Sequence, residues 1–218
     1  ERKQSALMRD RIGANRADIM GFTFLGLFHI IADALKMFTK EDFIPDGANK
    51  FLHTMSPIVA LVPALLTFAV VPFGGQYTLF DKEVNLVISD LDVGLLFVFA
   101  IASLATYGYV IAGWSSNNNW SLLGSMRTAS QMISYEVTMG LTIIGVLMVY
   151  GSMKLTEIGA IQENFWMWGI FLQPVGFFMF LTASIAENKR IPFDAPEAES
   201  ELVAGYFTEY SGLKFGMF

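Results

Sequence analysis

The sequence predicts an all-α integral membrane protein, built as a multi-helix transmembrane bundle with an N-terminal amphipathic surface helix and an acidic cytoplasmic loop. Of its 218 residues 54% are hydrophobic and only 16% are charged, whereas soluble domains carry about 25% charged residues. The apolar residues are also grouped, since residues 51–80, 93–126 and 164–186 contain no charge and residues 128–153 contain only Glu136. Each of these stretches exceeds the roughly 20 residues that a helix needs to cross a bilayer.

Residues 1–50 hold eight of the fourteen basic residues. Within them, residues 19–38 form an apolar run that is interrupted by His29, Asp33 and Lys36. A basic, amphipathic pattern of this kind predicts a helix that lies on the membrane surface rather than across it.

Four crossings are predicted in residues 51–186, near residues 57–71, 93–114, 126–150 and 165–185. They are followed by a charged segment, residues 187–211, which we call the acidic loop, and by the start of a further helix in residues 212–218. The chain is therefore predicted to be a single membrane domain. Twelve of the fourteen basic residues fall on one side of this topology, and the positive-inside rule makes that side cytoplasmic.

Charge and composition exclude several classes of function. A net charge of −6 argues against nucleic acid as a partner. With no cysteine and only two histidines, the chain cannot ligate an iron–sulfur cluster or form a thiolate metal site. We therefore expect no cofactor that is ligated by this chain and no metal site.

Glu136 is the one charge inside a predicted crossing. A carboxylate at membrane depth is costly unless it is protonated, paired or hydrated, so such residues often mark proton pathways. The alternative is a side chain that snorkels toward the interface from near the helix end, since Arg127 is only nine positions earlier.

The acidic loop carries the densest pattern of charge. Asp194 and Glu197 have the spacing of a helix-capping box, but Glu201 lies on the same helical stripe, where like charges repel. Such a stripe is expected to bind protons, face cations or line water, and Lys189 and Arg190 are nearby candidate cations. Structural capping and function are both consistent with this pattern.

Two other classes stay open from these residues alone. A secondary transporter or channel would also carry intramembrane charge, but no internal repeat is visible. A plain membrane anchor would use its carboxylates only to bind partners.

Several stretches resemble one family, the H-subunit family of complex I-type respiratory enzymes. The acidic loop is the most specific of them, through residues 188–210 (NKRIPFDAPEAESELVAGYFTEY). Further similar stretches occur in the family's order at residues 1–3 (ERK), 11–16 (RIGANR), 31–36 (IADALK), 113–117 (GWSSN) and 131–137 (QMISYEV). The resemblance spans the whole chain and implies a piece of an eight-helix membrane protein that lacks the first crossing and the C-terminal helices.

The resemblance implies a membrane wall for a quinone-reduction cavity in a proton-translocating NADH:quinone oxidoreductase. Quinone would be a substrate, and electrons would arrive from an iron–sulfur cluster in a neighbouring subunit. By motif, the expected cavity residues are Arg11, Asp33, Arg190, Phe193 and Asp194. The expected proton path comprises Glu136, Glu187, Glu197, Glu199, Glu201 and Glu209. No catalytic residue is expected in this chain, which should be inactive alone.

The partners that the resemblance implies are membrane lipid, the peripheral subunits that carry the clusters and the quinone site, and antiporter-like membrane subunits. The expected location is the bacterial plasma membrane, with the mitochondrial inner membrane as the alternative. Another function within this resemblance is the related membrane subunit of a membrane-bound hydrogenase.

Overall fold

The computed structural model describes residues 6–13, 17–18, 26–74, 76–79, 82–189, 192–197, 201 and 203–218. The helices in these residues are α1 (Phe28–Thr39), α2 (Lys50–Thr67), α3 (Gly94–Ala102), α4 (Ala105–Ser115), α5 (Asn119–Tyr150), α6 (Leu155–Ile161), α7 (Gly169–Leu172), α8 (Pro174–Glu187) and α9 (Gly212–Gly216). Short 3-10 turns occur at Phe165–Met167, Ala195–Glu197 and Gly205–Phe207. The chain divides into two compact units, residues 1–43 with 210–216, and residues 44–209 with 217–218.

The smaller unit is built on α1, which α9 contacts. An ion pair of 2.8 Å joins Lys214 to Asp42, and the Ser211 hydroxyl donates a hydrogen bond of 3.0 Å to the carbonyl of Glu41. Apolar side chains are exposed along α1, at Ile30, Ile31, Leu35 and Phe38. The amphipathic helix predicted for residues 19–38 is thus present from Phe28 onward, while residues 19–25 lie outside the described part. Its position at the membrane surface stays a prediction.

The larger unit is a helical bundle, which confirms the predicted all-α membrane fold. Among the described residues, three helical segments are long and apolar enough to cross a membrane: α2, the α3–α4 pair over Gly94–Ser115, and α5. Most residues in these segments face outward rather than into the protein. An apolar exterior is what a bilayer requires of a bundle.

Small residues bring the crossing helices close together. The Ser56 hydroxyl on α2 donates a hydrogen bond of 2.9 Å to the carbonyl of Gly108 on α4. A Cβ added at Gly108 would lie 2.7 Å from the backbone nitrogen of Ala60. Because lipid offers no hydrophobic drive for helix association, close backbone approach and polar contacts of this kind hold membrane helices together.

The longest helix, α5, extends beyond the crossing predicted at residues 126–150. It begins at Asn119, after Asn118 accepts a hydrogen bond of 3.0 Å from the backbone of Trp120. Its 32 residues span about 48 Å, against a hydrocarbon thickness of about 30 Å. Roughly three turns of α5 therefore extend past the apolar layer or require tilt.

The predicted fourth crossing is not one continuous helix. Residues 165–185 divide into the Phe165–Met167 turn, α7 and α8, with a break at Gln173. Pro174 begins α8 and has no backbone N–H to donate to the turn before it. At this break, the side-chain amide of Gln173 donates a hydrogen bond of 2.6 Å to the Gly145 carbonyl on α5. That this segment crosses the membrane stays a prediction.

A short antiparallel hairpin, Gln76–Leu79 with Lys82–Asn85, lies in the connection between α2 and α3. No strand is predicted in this connection, so the hairpin is an addition to the expected fold.

Candidate functional site

The acidic loop lies along the N-terminal half of α5 and runs in the opposite direction to it. Five residues of α5 recur at helical spacing and contact the loop, namely Ser121, Gly124, Arg127, Gln131 and Tyr135. Their loop partners follow in reverse order, namely Tyr206, Gly205, Glu201 and Phe193, with Phe193 contacting both Gln131 and Tyr135. We call this stripe of α5 the loop seat.

At the end of the loop seat nearer the middle of α5, which we call its deep end, Gln131 binds two segments at once. Its side-chain amide donates hydrogen bonds of 2.8 Å to the carbonyls of Ala186 on α8 and of Phe193 in the loop. The Phe193 ring packs edge-on against Tyr135, with 5.6 Å between centroids. This end of the loop is thus fixed by polar and aromatic contacts together.

At the opposite end of the loop seat, near the N-terminus of α5, the backbone of the loop contacts the helix directly. A Cβ at Gly124 would lie 2.6 Å from the Cα of Gly205, so α5 needs a glycine there. The Ser121 hydroxyl donates a hydrogen bond of 2.9 Å to the Tyr206 carbonyl. One turn further, the Asn118 amide donates to the Glu209 carboxylate at 2.8 Å.

Two carboxylates lie next to the deep end of the loop seat. Glu136 follows Tyr135 on α5, and its Oε1 is buried without a hydrogen-bond partner among the described residues. Glu187 ends α8 and is close enough for the two like charges to repel each other. A pair of this kind is stable with a shared proton, a bound water or a cation between its members.

Most of the predicted proton-path residues lie along the loop seat or next to its ends. Glu136 and Glu187 interact at its deep end, Glu201 forms a 2.5 Å ion pair with Arg127, and Glu209 is bound by Asn118. Glu197 ends a 3-10 turn, and Glu199 lies outside the described residues. Arg127 therefore pairs with the loop and not with Glu136, so the snorkelling interpretation has no support from this ion pair.

The predicted cavity residues are placed in separate parts of the chain. Phe193 is in the loop seat, and Asp194 beside it is exposed. Arg11 is exposed and Asp33 is half-buried on α1, both in the smaller unit. Arg190 lies outside the described residues, as do parts of the predicted carboxylate stripe between Glu197 and Glu201.

Three residues of the site, Gln131, Asn118 and Tyr206, were not predicted to have a role. Gln131 gave a usable signal, because a long amide side chain in an apolar crossing must find partners. The roles of Asn118 and Tyr206 depend on how the loop folds back, and no local pattern encodes that path.

A bundle of long apolar helices with a carboxylate-rich loop laid along one of them defines a polytopic membrane protein with buried charge. A family model described as NADH dehydrogenase matches residues 1–218. The chain belongs to this family.

Curated relatives agree with this assignment. The chain is 50% identical over 218 residues to an H subunit of NADH-quinone oxidoreductase from Geobacter metallireducens, and 50% identical over 218 residues to one from Geobacter sulfurreducens. It is 47% identical over 218 residues to the H subunit of NADH-quinone oxidoreductase from Flavobacterium psychrophilum. In each case the whole of this chain is matched, and it spans 62–64% of the relative's length.

Proposed function

We propose that this chain is the quinone-site membrane subunit of a proton-translocating NADH:quinone oxidoreductase. The observation that carries the proposal is the antiparallel seating of the acidic loop on α5. This arrangement packs Phe193 against Tyr135, the residue that precedes Glu136 on α5. The loop expected at the quinone cavity is thus attached to the part of α5 that carries Glu136.

The apolar nature of quinone agrees with a site near the boundary between the hydrocarbon layer and water. Quinone reaches its site from the lipid, so the cavity must open near the boundary between the hydrocarbon layer and water. In this proposal Phe193 and Asp194 shape the loop side of the cavity, and Arg190 adds positive charge there. Arg11 and Asp33 line the approach.

The loop seat also suggests how quinone chemistry affects the membrane. Reduction of quinone consumes two protons and changes the local charge. Protonation or pairing of one carboxylate biases its neighbours when they are close. The proposed path therefore runs from the loop carboxylates, Glu197, Glu199, Glu201 and Glu209, to Glu187 and Glu136.

The names of the bacterial relatives support a quinone reductase rather than a membrane-bound hydrogenase or a transporter. The word subunit in these names supports other subunits of the same enzyme as partners. We propose that they include peripheral cluster-bearing subunits and antiporter-like membrane subunits. The bacterial plasma membrane is the proposed location.

The relay role can be tested with Glu136→Gln in the assembled enzyme in sealed vesicles. We expect quinone reduction to continue while the number of protons moved per electron pair falls. Glu163→Gln is the matched control, because Glu163 is an exposed carboxylate in the connection between α6 and α7. Full proton pumping by Glu136→Gln would contradict the relay role.

The cavity can be tested separately by photo-crosslinking with an azido-quinone in native membranes, followed by peptide mapping of this chain. Labelling within residues 11–33 or 190–201 that a quinone-site inhibitor prevents would support the proposed position. A complex that reduces quinone without labelling either segment would contradict it.

A further inference from the structure

Lys189 is a buried lysine at the point where α8 ends and the acidic loop begins. Its side chain belongs to a residue that is only 8% exposed, although lysines are rarely buried without compensation. Its backbone also has a φ of +53°, in the left-handed region that residues other than glycine seldom adopt. The surrounding contacts must therefore hold both the charge and the backbone in place.

Two tyrosines contact the Lys189 side chain. The Lys189 ammonium donates a hydrogen bond of 2.9 Å to the hydroxyl of Tyr206 and lies 3.4 Å from the centroid of the Tyr109 ring. The two rings meet edge to face, with 5.0 Å between centroids. A desolvated ammonium over an aromatic face gains more than an exposed one. We call Lys189, Tyr109 and Tyr206 the aromatic clamp.

The clamp joins three separate parts of the chain. Lys189 precedes residues 190–205 and Tyr206 follows them, so their hydrogen bond closes the base of the acidic loop. Tyr109 is on α4 and attaches this base to the crossing helices. Tyr206 is itself held by Ser121 at the loop seat. Closing a loop at its base reduces the conformational freedom of the residues within the loop.

We propose that Lys189 is a positioning residue, which sets the place of Phe193 and Asp194 by holding the base of the loop closed. The inference rests on the proposed function, because those two residues are expected at the quinone cavity. Lys189 itself does not touch the reacting atoms. Its effect is on where the loop lies.

The loop position can be measured without quinone, because the chain has no cysteine of its own. Pro196→Cys places the one thiol of this chain at a buried loop position in the assembled, detergent-purified enzyme. Adding Lys189→Met keeps an unbranched side chain and removes the charge. In the Lys189→Met variant we expect the maleimide labelling rate of the introduced thiol to rise about tenfold, because loop opening becomes more frequent. Lys189→Arg should restore slow labelling. An unchanged rate with Lys189→Met would overturn the clamp.

Quinone kinetics then test the link to the cavity, in enzyme without the introduced cysteine. Lys189→Met should raise the KM for a short-chain quinone about tenfold, because a displaced loop misplaces the side chains that surround the quinone. The kcat should change much less. Lys189→Arg should restore the KM. Faster labelling with an unchanged KM would overturn the positioning role and leave the clamp as a structural contact. The cavity part of the proposed function is tested separately, by photo-crosslinking in the parent enzyme.

A matched tyrosine pair separates the hydrogen bond from the ring. Tyr206→Phe removes the hydroxyl that accepts from Lys189, whereas Tyr109→Phe keeps an aromatic face under the ammonium. Labelling at position 196 should accelerate more with Tyr206→Phe than with Tyr109→Phe. Equal behaviour of the two variants would contradict the assigned hydrogen bond.

Discussion

Arg127 and Glu201 form an ion pair of 2.5 Å that fastens the middle of the acidic loop to α5. Both side chains remain partly in water, at 41% and 60% exposure. An ion pair in such a position gains little net free energy, because solvent screens it and two long side chains lose freedom. The stronger anchors of the loop are the buried contacts on either side of this pair.

The first prediction follows from that difference. In a double-mutant cycle of Arg127→Gln and Glu201→Gln, the coupling free energy should be below about 1 kcal/mol and should fall as salt increases. The measurement is the thermal unfolding midpoint of the purified enzyme at two ionic strengths. A coupling above roughly 2 kcal/mol would mean that the pair is better shielded than its exposure indicates.

Gln131 should matter more to stability than this ion pair. Gln131→Met removes both hydrogen bonds to the carbonyls of Ala186 and Phe193, and each lost hydrogen bond costs about 0.5–1.5 kcal/mol. We expect a lower unfolding midpoint together with weaker quinone reduction. Ser134→Ala is the control, because the exposed Ser134 hydroxyl bonds only to the Ser130 carbonyl of its own helix. Equal midpoints in the two variants would contradict the anchoring role.

Close packing of α2 on α4 gives a steric prediction. A methyl group at Gly108 would meet backbone and side-chain atoms of Ala60 at 2.7–2.9 Å, so Gly108→Ala should destabilise the bundle by about 1–3 kcal/mol. Gly140→Ala is the matched control, because a Cβ there meets nothing within 4 Å. Thermal unfolding and the amount of chain inserted in membranes are the readouts. Tolerance of alanine at Gly108 would mean that the helices can move apart freely.

The loop between α5 and α6 gives a pH prediction. The hydrogen bond from Lys154 lowers the pKa of Asp90, and the hydrogen bond to Asp90 raises the pKa of Lys154. The Asp90 contribution is therefore present above its ordinary value of about 3.9 and is lost as pH falls through its lower folded value. The Lys154 contribution is present below about 10.4 and is lost as pH rises through its higher folded value.

Hydrogen exchange in residues 152–157, corrected for intrinsic rates, can check this expectation. Protection should be level from about pH 5 to pH 9 and should fall outside those limits. Asp90→Asn should lower protection within the window. Asp92→Asn should have little effect, because Asp92 is 96% exposed and lies 3.9 Å from Lys154. A strong change in protection between pH 5 and pH 9 would assign the attachment to other groups.

The membrane class and the helical spans were predictable from sequence, because uncharged runs of this length have few other stable structures. Prediction was less successful where the backbone departs from a single helix. Pro174 divides the fourth apolar stretch, although hydropathy gives no sign of the break. The hairpin at Gln76–Leu79 and Lys82–Asn85 has strands of only four residues each, which is too short for an alternating pattern to stand out.

The candidate site was predictable in its residues but not in its arrangement. Glu136 and the acidic loop were identifiable because charge is rare in this chain. That Arg127 would pair with Glu201, and that Lys189 would be enclosed by Tyr109 and Tyr206, depends on contacts between residues far apart in sequence. Such pairs become visible only when the path of the loop along α5 is known.

The uninterrupted length of α5 has a mechanical consequence. Between Arg127 and Glu136 it includes no proline and no glycine, and helices bend sharply almost only at prolines, Gly/Ser pairs, bulges or inserted groups. We therefore expect this part of α5 to move as a stiff unit. Glu136 lies nine residues beyond Arg127, or about 14 Å along the axis, so a displacement of α5 at Arg127 should also displace this carboxylate.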